Sequence, residues 1–140
     1  GVDTTFLVQL EVAEHPGHDS ARRKLEQLLD EGDRLVLTTQ VLAEFVHVVT
    51  DGRRFSQPLT MEQSLARAEH WWNAAEVTHV FPTAQSLRLM LDWLKEHNLG
   101  RKRILDTQLA ATLFSHGVTS IVTSNARDYG VFGCFEVVVP

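Results

Sequence analysis

The sequence has very little cysteine and no long apolar run. Its single cysteine, Cys134, has no partner in the chain, so an internal disulfide is excluded and a reducing environment is compatible. No stretch approaches the roughly 20 consecutive apolar residues of a membrane-spanning helix, so no membrane association is expected. With 140 residues, 44% hydrophobic and 22% charged, the composition is that of a globular domain with its own core.

The sequence also lacks the short motifs of several large enzyme classes. It contains no GxSxG, no GxxxxGK[ST] and no GxGxxG, so serine-hydrolase, P-loop and dinucleotide-binding functions have no support. The histidines are scattered. Only His15 and His18 are close together, and no second pair stands at a spacing typical of a zinc site.

Positive charge is scarce, since 13 Lys and Arg against 18 Asp and Glu give a formal net charge of -5. Most nucleic-acid-binding proteins spread basic residues over the contact face, so this balance does not indicate a general nucleic-acid binder. An acidic site that holds divalent cations is a different case. Once loaded, it carries the opposite local sign, and a phosphate can approach it through the metal.

Strand-like and helix-like segments alternate along the whole chain, with no repeat, low-complexity segment or linker. We predict an α/β fold: a three-layer α/β/α sandwich around a mainly parallel sheet of about five strands, in a single domain over residues 1–140. Because at most two residues precede Asp3, we expect its strand to be truncated upstream. A later helix, capped by Thr83, carries an apolar stripe made of Leu87, Met90, Leu91 and Leu94.

The stretch from Ile104 to Gly130 has the pattern of a helix, a glycine stop and a short β-branched strand. Asp106 shares a helical face with the apolar residues three and four positions later, so its carboxylate points toward the rest of the fold and needs a partner. Asn125 and Asp128 follow the strand directly, where open α/β sheets place their ligand crevice. The simpler alternative, with Asp106 as a helix cap and Asp128 in a turn, stays open on these residues alone.

Two further acids stand in comparable positions. Asp3 comes just ahead of an early helix, and Glu44 lies inside a helix that runs from Gln40 to about Thr50 and that Thr39 is placed to cap. Glu44 shares its face with apolar residues, so it is expected to point inward. A buried carboxylate requires a cation or a polar cluster, and the alternative is a pair with an arginine.

The four acids Asp3, Glu44, Asp106 and Asp128 form the predicted site, because their positions converge on one edge of a parallel sheet. If neighbouring carboxylates lie about 5 Å apart, each ionised pair repels by roughly 3 kcal/mol at an effective dielectric constant near 20. A positive charge must then lie between them. All-oxygen ligands indicate Mg²⁺ or Mn²⁺ rather than Zn²⁺, and such ions promote phosphodiester hydrolysis, so we predict cleavage of a nucleic acid.

Polar and basic residues near these acids complete the prediction. Thr5, Thr123 and Asn125 are candidates to orient ligands or water, although turn and cap chemistry explains them equally well. A basic triplet precedes Asp106 and is either a solvated loop or a patch that steers phosphates toward the acids. Its members are Arg101, Lys102 and Arg103.

The segments around the acids resemble a PIN domain, specifically a VapC-type ribonuclease toxin of a toxin-antitoxin system. The resemblance covers nearly the whole chain and rests on residues 3–7 (DTTFL), 40–45 (QVLAEF) and 104–129, with ILDTQLAAT at its start and VTSNARDY at its end. It implies a metal-dependent endoribonuclease. The implied ligands of Mg²⁺ or Mn²⁺ are Asp3, Glu44 and Asp106, with Asp128 as the fourth acid.

Two positions depart from the family pattern. Many members carry an Asp where this chain has Asn125, which leaves the fourth ligand open between Asn125 and Asp128. Asn or Ser is frequent in the family where this chain has Thr5, whereas Thr123 matches a supporting hydroxyl.

The resemblance also implies homodimers, a cognate antitoxin lying over the acidic groove, and a prokaryotic, cytoplasmic setting. The apolar residues Phe6, Leu7, Leu10 and Trp71 are candidates for such an interface, and burial in the core explains them as well. The alternative function is a catalytically inactive PIN-like module that binds RNA or a protein, and a DNA-directed nuclease is a third possibility.

Overall fold

The computed structural model describes all residues from Gly1 to Pro140 and has seven helices and four short strands. The predicted alternation of strands and helices holds only in part, because two helices in succession precede each of the first three strands, with a 3-10 turn at Arg101–Arg103 before the sixth helix. In chain order they are α1 Thr4–Glu11, α2 His18–Asp30, β1 Leu35–Leu37, α3 Thr39–Val49, α4 Met61–Asn73, β2 Val77–His79, α5 Ala84–Glu96, α6 Ile104–Ser115, β3 Ser120–Val122, α7 Ala126–Gly130 and β4 Glu136–Val138.

All strand pairs are parallel. β1 pairs with β2, and β3 pairs with β4, in two sheets of two strands each. Residues 1–3 lie between them: the N–H of Val2 donates to the carbonyl of Val36 at 3.0 Å, and the N–H of Val122 donates to the carbonyl of Gly1 at 2.9 Å. The parallel α/β architecture is confirmed, whereas the count of about five strands is not, since Val2 forms only an isolated bridge with Val122.

The core is apolar and lies between the sheet and the helices. It consists of 24 buried apolar residues, and Phe6, Leu7, Leu10 and Trp71 are all among them. The interpretation of these four residues as an interface is therefore wrong, and core burial explains them. Apolar side chains are exposed elsewhere, notably Leu87 and Leu91 of α5.

Side-chain caps fix the starts of three helices. The hydroxyl of Thr38 accepts the N–H of Val41 at 3.3 Å, so Thr38 caps α3 and the prediction of Thr39 is one residue too late. Thr60 and Thr83 cap α4 and α5, each in a reciprocal capping box. None of the helices is long and apolar enough to cross a membrane.

Candidate active site

Asp3 is fixed by both the sheet and the first helix. Its N–H donates to the carbonyl of Val122 at 3.1 Å, and α1 begins at the next residue. The residue is only 5% exposed. Its Oδ2 accepts hydrogen bonds from the hydroxyls of Thr5 at 2.6 Å and Thr123 at 2.7 Å, and its Oδ1 accepts one from Tyr129 at 2.9 Å. Three neutral donors therefore hold a buried carboxylate in one orientation.

The two threonine hydroxyls are themselves tied to the loop that leaves β3. Oγ1 of Thr123 accepts the backbone N–H of Asn125 at 2.9 Å, and Oγ1 of Thr5 accepts that of Ser124 at 3.2 Å. Because each hydroxyl accepts from the backbone, its proton is free to point at Asp3. The structure thus brings the three predicted supporting residues, Thr5, Thr123 and Asn125, into one network around Asp3.

Glu44 lies on α3 with its side chain half-buried. Its Oε2 accepts a hydrogen bond from the hydroxyl of Thr4 at 3.0 Å, which links α3 to the first residue of α1. Glu44 takes part in no salt bridge, so the alternative of a structural arginine partner is not what the fold provides. Its carboxylate is neutralised by no basic side chain.

Asp106 stands in the first turn of α6 and Asp128 in the short helix α7. Partial burial raises the pKa of Asp106 to about 6, and the negative charges of Asp128 and Asp3 act in the same direction. The guanidinium of Arg103 opposes these effects without reversing them. Asp106 therefore lies close enough to Asp3 and to Asp128 to be repelled by both.

Arg103 occupies the space between Asp106 and Asp128. Its Nε is 3.2 Å from Oδ2 of Asp106, its Nη1 is 3.3 Å from Oδ1 of Asp128, and its Nη2 donates to the backbone carbonyl of Asp128. Arg103 thus differs from the other two members of the triplet, because Arg101 and Lys102 are exposed. A phosphate-steering role remains compatible with the two exposed members of the triplet, whereas Arg103 is engaged by the acids themselves.

Tyr129 is the site residue that sequence reasoning missed. It is buried, donates to Asp3, and its pKa is raised far above its usual value by burial and by the charges of Asp3, Asp106 and Glu44. The hydroxyl is therefore a permanent donor at neutral pH, within electrostatic range of three acids. One feature of the sequence pointed to Tyr129 as a site residue: it is the only tyrosine of the chain, and it directly follows Asp128.

The donor set matches a hard divalent cation in chemistry, although no three acidic, histidine or cysteine side chains are arranged as a preformed ligand shell. Carboxylate oxygens are the ligands that Mg²⁺ and Mn²⁺ prefer. Four acids with a single arginine in contact also leave an excess of negative charge, and the charges of Asp128 and Asp3 add to burial in raising the pKa of Asp106. The residues present therefore fit such an ion, and binding would require side-chain rearrangement around Asp106 and Asp128.

Comparison with known proteins identifies the family to which this fold belongs. The PIN domain family matches residues 2–130, and the chain belongs to that family. The resemblance found in the sequence is confirmed.

Two curated relatives of this chain come from mycobacteria. The chain is 32% identical over 87 residues to the VapC ribonuclease Mb2897 of Mycobacterium bovis and, to the same extent, to ribonuclease VapC43 of Mycobacterium tuberculosis. The aligned region is 62% of this chain and 54% of each relative, so the chain spans about half the length of the curated relatives it matches.

Solved structures of toxins share the fold. VapC20 of Mycobacterium tuberculosis, described as a toxin that cleaves the sarcin-ricin loop, superimposes with a TM-score of 0.70 at 19% identity, over 97% of this chain and 96% of its own. VapBC-1 from nontypeable Haemophilus influenzae superimposes with a TM-score of 0.66 at 20% identity, over 99% of this chain and 95% of the matched chain. At these identities the likeness shows the fold alone.

Proposed function

We propose that this chain is a metal-dependent endoribonuclease that hydrolyses RNA phosphodiester bonds, and that it is the toxin of a toxin-antitoxin pair. One observation carries the proposal: a buried Asp3 held by three hydroxyls lies within electrostatic range of Asp106, whose pKa is raised to about 6 by burial and by two neighbouring acids. The four acids Asp3, Glu44, Asp106 and Asp128 would hold Mg²⁺ or Mn²⁺. The family and the names of its relatives support the same activity.

The hydrogen bonds of the site residues indicate a separate role for each in the proposed reaction. A bound divalent ion would supply Lewis acidity, which activates water and stabilises the leaving oxygen. Thr5, Thr123 and Tyr129 keep the oxygens of Asp3 in fixed directions, and Thr4 does the same for Glu44. Arg101 and Lys102 attract the RNA backbone to the mouth of the site.

The direct test is cleavage of single-stranded RNA with Mg²⁺ or Mn²⁺, compared with the same reaction in EDTA. Asp3→Asn and Glu44→Gln should each lower the rate at least about 100-fold, since each removes a charged ligand. The matched control is Asp92→Asn, an exposed acid on α5, which should cleave at the parental rate. Unchanged rates in both site variants contradict the assignment of the acids.

The alternative, a catalytically inactive PIN-like module, predicts a different result in the same RNA cleavage assay. The parent protein would then bind RNA or a partner protein and leave the RNA intact with either metal. A parallel series with single-stranded DNA separates the RNA-directed enzyme from a DNA-directed nuclease, because the proposed activity predicts that DNA remains uncut.

The proposal takes residues 1–140 as one catalytic domain, working in a prokaryotic cytoplasm with an antitoxin and as a homodimer. The likeness to the VapBC-1 structure supports an antitoxin partner for this fold. For the dimer, the exposed apolar residues of α5 are the candidate face: Leu87 is 55% and Leu91 46% exposed. Leu87→Glu with Leu91→Glu should convert a dimer into a monomer in sedimentation, and a parent that sediments as a monomer contradicts this part.

A further inference from the structure

A cavity lies beside the residues that hold Asp3 and Glu44. Its volume is about 750 Å³, which lies in the range of small-molecule binding sites. Thr4 and Thr5 are part of its lining, and their hydroxyls donate to Glu44 and Asp3. A substrate chain whose phosphodiester lies at these acids can therefore place a neighbouring nucleotide in the cavity.

The lining of the cavity also carries groups suited to a nucleotide. Arg54, Phe55 and His15 belong to it, so a cation, a flat aromatic ring and an imidazole border the same space. The loop that holds Arg54 and Phe55 is tied to Glu14, another lining residue, because the carboxylate of Glu14 accepts hydrogen bonds from the Ser56 hydroxyl and, at 3.3 Å, from the N–H of Gln57. These hydrogen bonds fix the position of the loop without a ligand.

Gln9 is the lining residue whose side-chain oxygen has no hydrogen-bond partner within the protein. The residue is 9% exposed, it lines the cavity, and its Oε1 is buried without a hydrogen-bond partner. Buried side-chain polar atoms in folded proteins nearly always have a partner, so an orphaned amide oxygen indicates a ligand that completes it. Rotation of the amide presents its oxygen as an acceptor or its NH₂ as a donor to such a ligand.

We propose that this cavity binds one nucleotide of single-stranded RNA next to the cleaved phosphodiester, and that the amide of Gln9 pairs with its base. The inference rests on the proposed ribonuclease function. Phe55 offers a ring on which a base stacks, and Arg54 attracts the phosphate. The amide of Gln9 pairs with a base edge that presents a donor beside an acceptor, such as the amino group and N1 of adenine or the N3–H and O4 of uracil. A ribose phosphate without a base leaves the Gln9 oxygen unpaired.

The first measurement needs neither metal nor cleavage. The full chain is titrated with AMP, UMP or ribose 5-phosphate in EDTA while the side-chain NH₂ signal of Gln9 is followed by NMR. AMP and UMP should shift this signal and bind about tenfold more tightly than ribose 5-phosphate, which has no base. Gln9→Leu should reduce this difference, whereas Gln85→Leu, at an exposed position of α5, should retain it.

Two further pairs of variants locate the nucleotide in the cavity. Arg53 and Arg54 both pair with Asp51, but only Arg54 lines the cavity, so Arg54→Gln should weaken AMP binding and Arg53→Gln should not. Phe55→Leu should weaken AMP and UMP alike through lost stacking, with Phe81→Leu, an exposed phenylalanine, as its control. Circular dichroism of each variant verifies that the fold is retained.

The outcomes separate this inference from the proposed function. If AMP and ribose 5-phosphate bind equally and the Gln9 signal does not move, the nucleotide subsite is wrong even when the protein cleaves RNA. If AMP binds as expected while RNA stays intact with Mg²⁺ and Mn²⁺, the ribonuclease function fails and the nucleotide site stands. Slower cleavage of an RNA that carries an abasic ribose at one position beside the cut, with a smaller loss in Gln9→Leu, supports both.

Discussion

The two halves of the acidic site are held in different ways. On one side, Asp3 and Glu44 are held by hydroxyl groups, three on Asp3 and one on Glu44, and neither is in a salt bridge. On the other side, Asp106 and Asp128 share the guanidinium of Arg103. Neutral donors fix geometry without cancelling charge, whereas an arginine cancels charge where a cation would bind.

This difference suggests a division of roles. Asp3 and Glu44 are oriented by hydroxyl groups and form no salt bridge, so in the proposed metal site they would bind an ion without displacing a basic side chain. Asp106 and Asp128 share one guanidinium, so an ion in the proposed site would compete there with Arg103. The predictions below test the two sides separately.

In this comparison of the two sides, the largest effect is expected from removing one of the hydroxyl groups that donate to Asp3. Thr123→Val keeps the shape of the side chain but deletes the donor to Oδ2, so RNA cleavage should fall by about 10- to 100-fold, the usual loss when a group supporting a metal ligand is removed. Thr123→Ser should restore most of the rate. Thr112→Val is the control, because that buried hydroxyl only donates to the carbonyl of Gln108. An unchanged rate in Thr123→Val would show that the orientation of Asp3 is irrelevant to activity.

On the other side, Arg103→Gln should have opposite effects on stability and on ion binding. Without the guanidinium, Asp106 and Asp128 repel each other uncompensated, so the free energy of unfolding in EDTA should fall by about 2 kcal/mol. Added Mg²⁺ should then raise the melting temperature more than it does in the parent. Arg67→Gln, which breaks the pair with Glu11 on another surface, should lose stability without any larger response to Mg²⁺. Equal Mg²⁺ responses in Arg103→Gln and the parent would contradict the competition.

Asp106 supplies a pH test of the same side. Burial raises its pKa from an ordinary value of 3.8 to about 6 in the folded chain, so the folded state favours the protonated acid. The stability it contributes is fully present below pH 3.8 and is lost as the pH rises through 6. In EDTA, Asp106→Asn should therefore gain about 1 kcal/mol over the parent at pH 7.5, a value reduced for partial solvent screening, and little at pH 4.5. Asp92→Asn, the exposed control, should show no such pH-dependent gain.

The positions of the acids were predictable because they depend on local order in the chain. An acid that follows a strand or begins a helix reaches the same sheet edge whatever the details of packing. The contacts of Tyr129 with Asp3 and of Arg103 with Asp128 were not predictable, since they join residues 126 and 25 positions apart in the sequence. Only the packing of α7 against the rest of the site brings them together.

Apolar stripes showed a second limit of sequence reasoning. Phe6 and Leu7 were candidates for an interface and are fully buried, while Leu87 and Leu91, on a similar helical stripe, are exposed. Periodicity identifies the apolar face of a helix but not what covers it. The cap of α3 is a local example: two threonines in a row both suit the role, and the end of β1 at Leu37 decides for Thr38.

The smallest effect is expected at the exposed basic residues, which touch neither side of the site. Arg101→Gln with Lys102→Gln should raise the KM for RNA a few-fold and reduce the slope of log KM against log salt by about 1.4, because two phosphate contacts to a single strand are lost. The value of kcat should not change, since neither residue contacts the acids. The control is Arg23→Gln with Lys24→Gln, an equivalent Arg-Lys pair on α2. If both double variants change KM equally, the effect comes from net charge alone, and the triplet does not steer RNA to the acids.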